Sequence, residues 1–524
     1  MARFASLPPK ASKGPWSIGP NPQPLATFEG GSGFAPSDPH LELFNAAVSG
    51  LLADQFYETG SDRLARLMAL VPQCDPVWLR GFIPWLRDTA HLRSAPLVLA
   101  AEYARAKFPN ARQVVASVLK RPDEPGEMLA FWFAVHGRSL PSNIKRGVAD
   151  ACSGLFNEWA AVRYDGGGKA WRLGDVIEVV HPKPTAGDWQ SDLFKFLLDR
   201  RRHDVVANPS VLPVVAKTLA AEAIAPEFRT PEKLAELVAD PDVVFSWERA
   251  AGWVNGGMNA KAWEAVIPTM GYMALLRNLN NFDRARIDAT VVVDVIDRIS
   301  NPQAVAKSKV LPFRFLTAYK ALEADTYKVA LSEAADHSLR NLPHLSGRTL
   351  IMVDCSGSMG DAVGAGKSRQ PLRLSELAGL MAEALASSAD DALIATYDTA
   401  ILGMHTPKSH VNLLRRAAEG YQHRGGTATW SCTRQALAKT GRVDRIIIIT
   451  DEQTSDRDGS GIDIPVITWN LAGYRPHHAP HGDRKRMFVG GYSDVVLQTL
   501  PAIIGLGTSG VWPWQVESEP DPQV

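Results

Sequence analysis

Arg348 to Gly360 reads RTLIMVDCSGSMG. An apolar, β-branched run ends in an aspartate and drops at once into a loop of small hydroxyl residues. Such a run is the mark of a buried strand in a parallel sheet. Open α/β sheets bind ligands where the carboxyl ends of their strands open into loops. Asp354, Ser356 and Ser358 therefore stand at a ligand-binding position, with one carboxylate and two hydroxyls. Hard oxygens of this kind suit Mg2+ or Mn2+ and do not suit zinc. Taken alone, D-x-S-x-S also fits a polar strand-to-helix turn whose hydroxyls cap a helix.

Two later segments enlarge the pattern. Arg442 to Glu452, RVDRIIIITDE, is a second apolar strand that ends in Thr450 and Asp451. Between the two strands, Gly425-Gly426-Thr427 makes a hinge-like loop ahead of a helical stretch. Glycine lets backbone approach an ion closely. The order D-x-S-x-S, then Thr, then Asp resembles the metal-ion-dependent adhesion pattern of von Willebrand factor A domains. The resemblance implies a divalent metal, Mg2+ or Mn2+, held by Asp354, Ser356, Ser358, Thr427 and Asp451. Mg2+ takes few carboxylates and keeps waters, so the chemistry expected is binding more than turnover. An acidic side chain or a phosphate from a partner can fill the open position. Strand alternation turns Cys355 away from the metal-facing residues, and a free cysteine in that place behaves as a small apolar core residue.

Composition narrows the class. The chain has 524 residues, 45% hydrophobic and 21% charged, with Lys plus Arg and Asp plus Glu both totalling 56. That length predicts several domains with ample core. The even charge balance excludes a global field for nucleic acid, so any basic surface must be a local patch. Cys74, Cys152, Cys355 and Cys432 have no metal-ligand spacing and suit a reducing interior. The first residues lack the apolar core of a signal peptide, and no run is long enough to span a bilayer. A cytoplasmic location and no membrane partner are expected.

Outward from the opening motif, the patterning changes sharply. From about Leu41 to Leu342, apolar residues recur at helical spacing, as in LELFNAAVSGLLADQFY and APLVLAAEYARAKF. Pro or Gly marks most junctions. Short helices joined by tight turns predict an N-terminal α-solenoid of HEAT-like hairpins. From Ser346 onward, strands alternate with helices: RTLIMVD, DALIATYD, IIIITD, IPVITWNL and RMFVGG as strands, with LRLSELAGLMAEALASSA and DVVLQTLPAI among the helices. That alternation predicts a C-terminal doubly wound α/β domain on a mostly parallel sheet.

Several segments of the helical part carry a further resemblance. PTMGYMALLRNLNNF, KVLPFRFLTAYKAL and IKRGVADACSGLFNEW, taken with the D-x-S-x-S and TDEQT loops, are similar to stretches of the Ro/TROVE family. The likeness runs from about Thr27 to Ile504. It implies a flexible arm over 1–26, a helical-repeat ring over 27–345, a von Willebrand factor A-like domain with the metal site over 346–505, and a tail over 506–524. A departure is GGTAT, where the family often has an acidic residue after the Thr. That leaves Thr429 as an alternative to Thr427.

What the resemblance implies for function is a non-enzymatic, monomeric RNA-binding ring. It would bind small non-coding (Y-like) RNA on an outer basic face and single-stranded 3′ ends of misfolded RNA through the hole. An exoribonuclease is an implied partner in RNA processing. The residues themselves point to Lys145, Arg146, Lys169, Arg172, His181 and Lys183: cations around a Gly-rich loop with Trp171 beside them for stacking. Trp171 and His181-Pro182-Lys183-Pro184 match the family's W…H-x-K-P stretch. The plain alternative is a solvated helical hairpin speckled with charge. Arg200-Arg201-Arg202-His203 is the densest charge run, and a helix C-terminus complementing the macrodipole explains it as well as RNA does. Arg277, inside an apolar helix, is expected to pair with a carboxylate or line the ring. Two rival functions remain: a metal-dependent protein-binding A domain without RNA, and a nuclease using the metal directly.

Overall fold

The computed structural model describes residues 25–26, 32–33, 38–49, 60–166, 170–203, 210–362, 372–407, 413–414, 417, 424–456, 461–471, 485–491 and 495–516. In these parts the chain forms two compact units. One contains Asp75–Arg87 and Arg93–Ile296; the other contains Lys13–Cys74, Asp88–Leu92 and Asp297–Val524.

The first unit is a succession of helices, among them Ser94–Arg105, Ala111–Val118, Glu124–His136, Ser142–Leu155, Leu173–Val180 and Asp188–His203. Their starts follow from the sequence. Side-chain oxygens of Asn157, Thr230, Ser246 and Asn259 accept first-turn N–H groups. Pro213 and Pro231 occupy opening positions where a missing N–H costs nothing. Ala111–Val118 packs against Ser142–Leu155, with one helix between them in the chain, and Leu173–Val180 packs against the next helix, Asp188–His203.

Glycine sets how closely two of these pairs approach. A Cβ at Gly147 would lie 2.6 Å from the Arg112 carbonyl oxygen and 2.8 Å from Val115 Cβ. One at Gly174 would lie 2.5 Å from the Leu197 carbonyl oxygen. Gly147→Ala must push its helix off Ala111–Val118, an overpacking change costing about 1–3 kcal/mol. A guanidinium melt is expected to show that loss. An unchanged midpoint would mean the helices do not meet at Gly147.

The second unit carries a six-stranded sheet: β1 Leu345–Asp354, β2 Ala389–Tyr397, β3 Ile401–His405, β4 Arg445–Thr450, β5 Val466–Asn470 and β6 Arg486–Gly490. The spatial order is β3-β2-β1-β4-β5-β6. Every pairing is parallel except β2 with the edge strand β3. Helix Leu374–Ser388 packs on β1 and β2. Helix Thr429–Thr440 seats Trp430, Cys432 and Ala436 in one core cluster with Leu350, Met352, Ile446 and Ile448. The order reverses at β1: the chain leaves it for β2 on one side and returns to β4 on the other. That reversal opens a crevice at the carboxyl ends of β1 and β4, where Asp354 and Asp451 lie.

Two features depart from expectation. Strand β3 was not foreseen. The helix Val495–Ser509 continues past residue 506, where the tail was expected to begin, and Trp512 beyond it is buried with its ring 5.0 Å from that of Phe44. Phe44 belongs to helix Pro39–Val48, which packs against β6 and Val495–Ser509. Among the described residues no helix is long and apolar enough to cross a membrane.

Candidate functional site

Three loops meet in the crevice between β1 and β4. The Gly357 N–H donates to the Gly425 carbonyl at 3.0 Å, and the Arg424 N–H to the Cys355 carbonyl at 2.7 Å. The Ser455 N–H and hydroxyl both donate to the Thr427 carbonyl, at 2.9 and 2.8 Å. The segments bearing Asp354, Thr427 and Asp451 are thus tied backbone to backbone.

Their side chains are shut away from water. Asp354, Ser356, Thr427 and Asp451 are each no more than 1% exposed. One Asp354 oxygen accepts the Ser356 N–H at 2.8 Å, and the other accepts the Thr450 hydroxyl at 2.6 Å. The Ser356 and Ser358 hydroxyls are 3.3 Å apart. Burial, and next the negative charge of Asp451, push the Asp354 carboxyl up to about 7 despite the Thr450 and Ser356 donors. Two buried carboxylates whose charges repel are an unfavourable arrangement that a cation relieves.

Thr427 supplies an independent sign. Its hydroxyl is buried and has no hydrogen-bond partner among the described residues, a state that costs about 1–3 kcal/mol. The alternative, Thr429, has its hydroxyl 3.2 Å from that of Tyr397. Among the described residues no three His, Cys, Asp or Glu side chains converge. The donors here are two carboxylates and three hydroxyls, a set that fits a hard divalent cation and no soft one.

A second place of interest lies in the helical unit. A cleft of about 780 Å³ is lined by Arg112, Lys145, Arg146, Asp150, His181 and Lys183, among others. Lys145 and Arg146 stand on helix Ser142–Leu155; His181 ends helix Leu173–Val180 in the left-handed region, φ +51°. The Ser153 hydroxyl donates to the Lys183 carbonyl at 2.7 Å and ties the two walls together. Among the described residues, Lys145, Arg146 and Lys183 make no ion pair.

The comparisons with known proteins agree with this architecture. Residues 245–374 match the TROVE domain family model. The matched span holds PTMGYMALLRNLNNF, KVLPFRFLTAYKAL and the D-x-S-x-S loop. The crystal structure of the Ro (RSR) protein of Deinococcus radiodurans superposes with a TM-score of 0.68 at 20% identity, over 90% of this chain and 100% of that one. The chain therefore has the fold of that protein: a helical part and a von Willebrand factor A-like α/β part.

Not every cation selected from the sequence reaches the cleft. Lys169 lies outside the described residues. Arg172 is absent from the lining; its side chain, 13% exposed, pairs with buried Asp165 at 3.1 Å. Trp171 stacks on Phe133 with ring centres 5.4 Å apart. The run at Arg200 is likewise occupied: Arg200 with Asp165 at 3.6 Å, Arg201 with Asp175, and Arg202 with Glu178 at 3.2 Å. These arginines staple neighbouring helices. Arg277 is exposed and makes no ion pair among the described residues.

Sequence reasoning missed Arg112 in the cleft and Asp398 beside the crevice loops. Asp398 follows β2; its carbonyl accepts the Ala428 N–H at 2.9 Å. A Cβ at Gly425, where φ is +73°, would lie 3.3 Å from the Asp398 carboxylate. Asp398 so presses on the loop that presents Thr427. The signal was available, because DALIATYD ends in an aspartate just as the other two strands do.

Proposed function

We propose that this protein binds RNA through the cleft between helix Ser142–Leu155 and the segment 180–185, and that its A-like unit holds Mg2+ or Mn2+ to capture an acidic partner group. The observation that carries the first half is the convergence on one cleft of unpaired cations from two separate segments. Four fixed positive charges, Arg112, Lys145, Arg146 and Lys183, face a single carboxylate there. Such a surface holds phosphates and releases counterions as it does so.

The RNA class favoured by the family resemblance is a small structured non-coding RNA, together with single-stranded ends of misfolded RNA. Cations of this kind track a backbone without reading its sequence, which suits a role in RNA processing or quality control alongside an exoribonuclease. His181, beside Lys183, adds a ring that can stack on an unpaired base.

For the second half, Asp354, Ser356, Ser358, Thr427 and Asp451 would hold the cation, which supplies an electron-poor position for an incoming carboxylate or phosphate. Thr450 orients the Asp354 carboxylate, and Asp398 holds the loop that presents Thr427. Two-metal phosphoryl chemistry needs ions bridged by several carboxylates, and this donor set is mostly hydroxyl. The protein accordingly acts as a scaffold without turnover. Labelled RNA incubated with Mg2+ should stay intact; cleavage that vanishes in Asp354→Ala would make it a nuclease.

Filter binding of a labelled RNA hairpin with a single-stranded tail, at two ionic strengths, tests the RNA reading. Affinity should fall steeply with salt. Replacing Lys145 and Arg146 with Ala should weaken it by about 1–3 kcal/mol. Weak, salt-insensitive retention would instead favour the A-like unit as a protein-binding module without RNA.

A further inference from the structure

Among the described residues the cleft contains one carboxylate, and that carboxylate has a definite occupation. Asp150 accepts two hydrogen bonds from Arg112, Nε at 2.6 Å and Nη2 at 2.8 Å. This is the two-pronged arrangement that guanidinium uses for carboxylate and phosphate alike. Asp150 stands one turn from Arg146 on the same helix, yet both its oxygens go to Arg112 across the helix pair. Lys145, Arg146 and Lys183 are left without an ion pair among the described residues.

The pair is not needed to hold the helices together. Both side chains are about half exposed, 49% and 43%, and exposed pairs add little to stability. The approach of the two helices is set by Gly147 against Arg112 and Val115, as described above. By contrast, the arginines at 172 and 200–202 engage carboxylates outside the cleft. Asp150 thus places one negative charge among four positive ones.

We propose that Asp150 is a built-in competitor for the phosphodiester: it holds the Arg112 fork in phosphate-accepting geometry and is displaced from it when RNA enters. Arg112 is then a principal phosphate contact, and Asp150 sets the affinity of the cleft and its discrimination against weakly charged ligands. The inference rests on the RNA reading above and adds a direction that reading alone does not require: removing one residue from the binding surface should strengthen binding.

The test uses the full chain, the same labelled hairpin with a single-stranded tail, and filter binding at two ionic strengths. Asp150→Asn should tighten binding about three- to tenfold, within the range assigned to single charge contacts. It should also steepen the dependence of log affinity on log salt by about 0.7–0.9, one more phosphate neutralised. Arg112→Ala should weaken binding about tenfold, and adding Asp150→Asn to Arg112→Ala should recover much less than Asp150→Asn gains alone. All three variants should keep the wild-type denaturant midpoint. Affinity in Asp150→Asn equal to or weaker than wild type, with Lys145→Ala still weakening binding, overturns the competitor role and leaves the RNA reading intact. Wild-type retention that is negligible and flat with salt removes both.

Discussion

Millimolar Mg2+ should raise the unfolding midpoint of the metal-free protein by about 5–10 °C, and Asp354→Ala should abolish the increment. A ligand at a hundred times its dissociation constant stabilises the folded state by about 2.7 kcal/mol. For a unit of roughly 150–250 residues each kcal/mol moves the midpoint by about 2–4 °C. The effect is expected to be this large because the cation relieves several unfavourable features at once. Asp354 and Asp451 are both buried and repel one another, and the Thr427 hydroxyl has no hydrogen-bond partner among the described residues. Differential scanning calorimetry with chelator, Mg2+, Mn2+ and Zn2+ reads the result. Hydroxyl-rich donors should favour Mg2+ and Mn2+. A Zn2+ preference, or the same increment in Asp354→Ala, removes the cation from this crevice. The RNA isotherm should be untouched by Asp354→Ala, because the cleft belongs to the other compact unit.

Much of this site is legible in the sequence because strand ends are local. RTLIMVD and IIIITD announce buried strands whose last residues must sit at the carboxyl edge of the sheet, and a helix start after Gly425-Gly426-Thr427 places the third loop. Strand β3 was hidden for the opposite reason. ILGMH is an edge strand, none of whose residues is buried, so no apolar alternation marks it. In the helical unit, periodicity shows helices but not what each charge meets. Arg172 looked like a phosphate contact, yet its partner Asp165 lies across a helix start. Arg200 to Arg202 looked like a basic patch, yet their carboxylates lie 24 or more residues away. Arg112 showed the converse: nothing near it in sequence marks a cleft, and only the close packing permitted by Gly147 brings it beside Lys145 and Arg146. Pairing across helices decides which cations are available, and that information is non-local.

Glu124→Ala should lower the stability of the helical unit by about 3–5 kcal/mol, the largest loss expected from a single substitution here. Glu124 opens helix Glu124–His136, and its carboxylate is fully buried. Arg87 Nη2 donates to both its oxygens, at 2.9 and 3.0 Å, and Arg93 Nε donates at 3.1 Å. The N–H groups of Lys120 and Arg121 add bonds of 2.8 and 3.0 Å. Removing the carboxylate would take from the Arg87 guanidinium, only 9% exposed, its carboxylate partner while its Nε bond to the Val118 carbonyl remains, and would leave two backbone donors without their acceptor. Glu124→Gln keeps the shape and some of the hydrogen bonds, so its loss should be smaller. The consequence reaches the cleft. Helix Glu124–His136 packs on Leu173–Val180, and a Cβ at Gly126 would lie 3.1 Å from Trp171 Cβ. His181 ends Leu173–Val180, so a loosened Glu124 helix should let the His181–Lys183 wall move. Urea titration should show the stability loss, and RNA affinity measured well below the midpoint should fall with it. A Glu124→Ala protein that melts like wild type would mean that water replaces the carboxylate at no cost, and that this junction does not hold the helices in register.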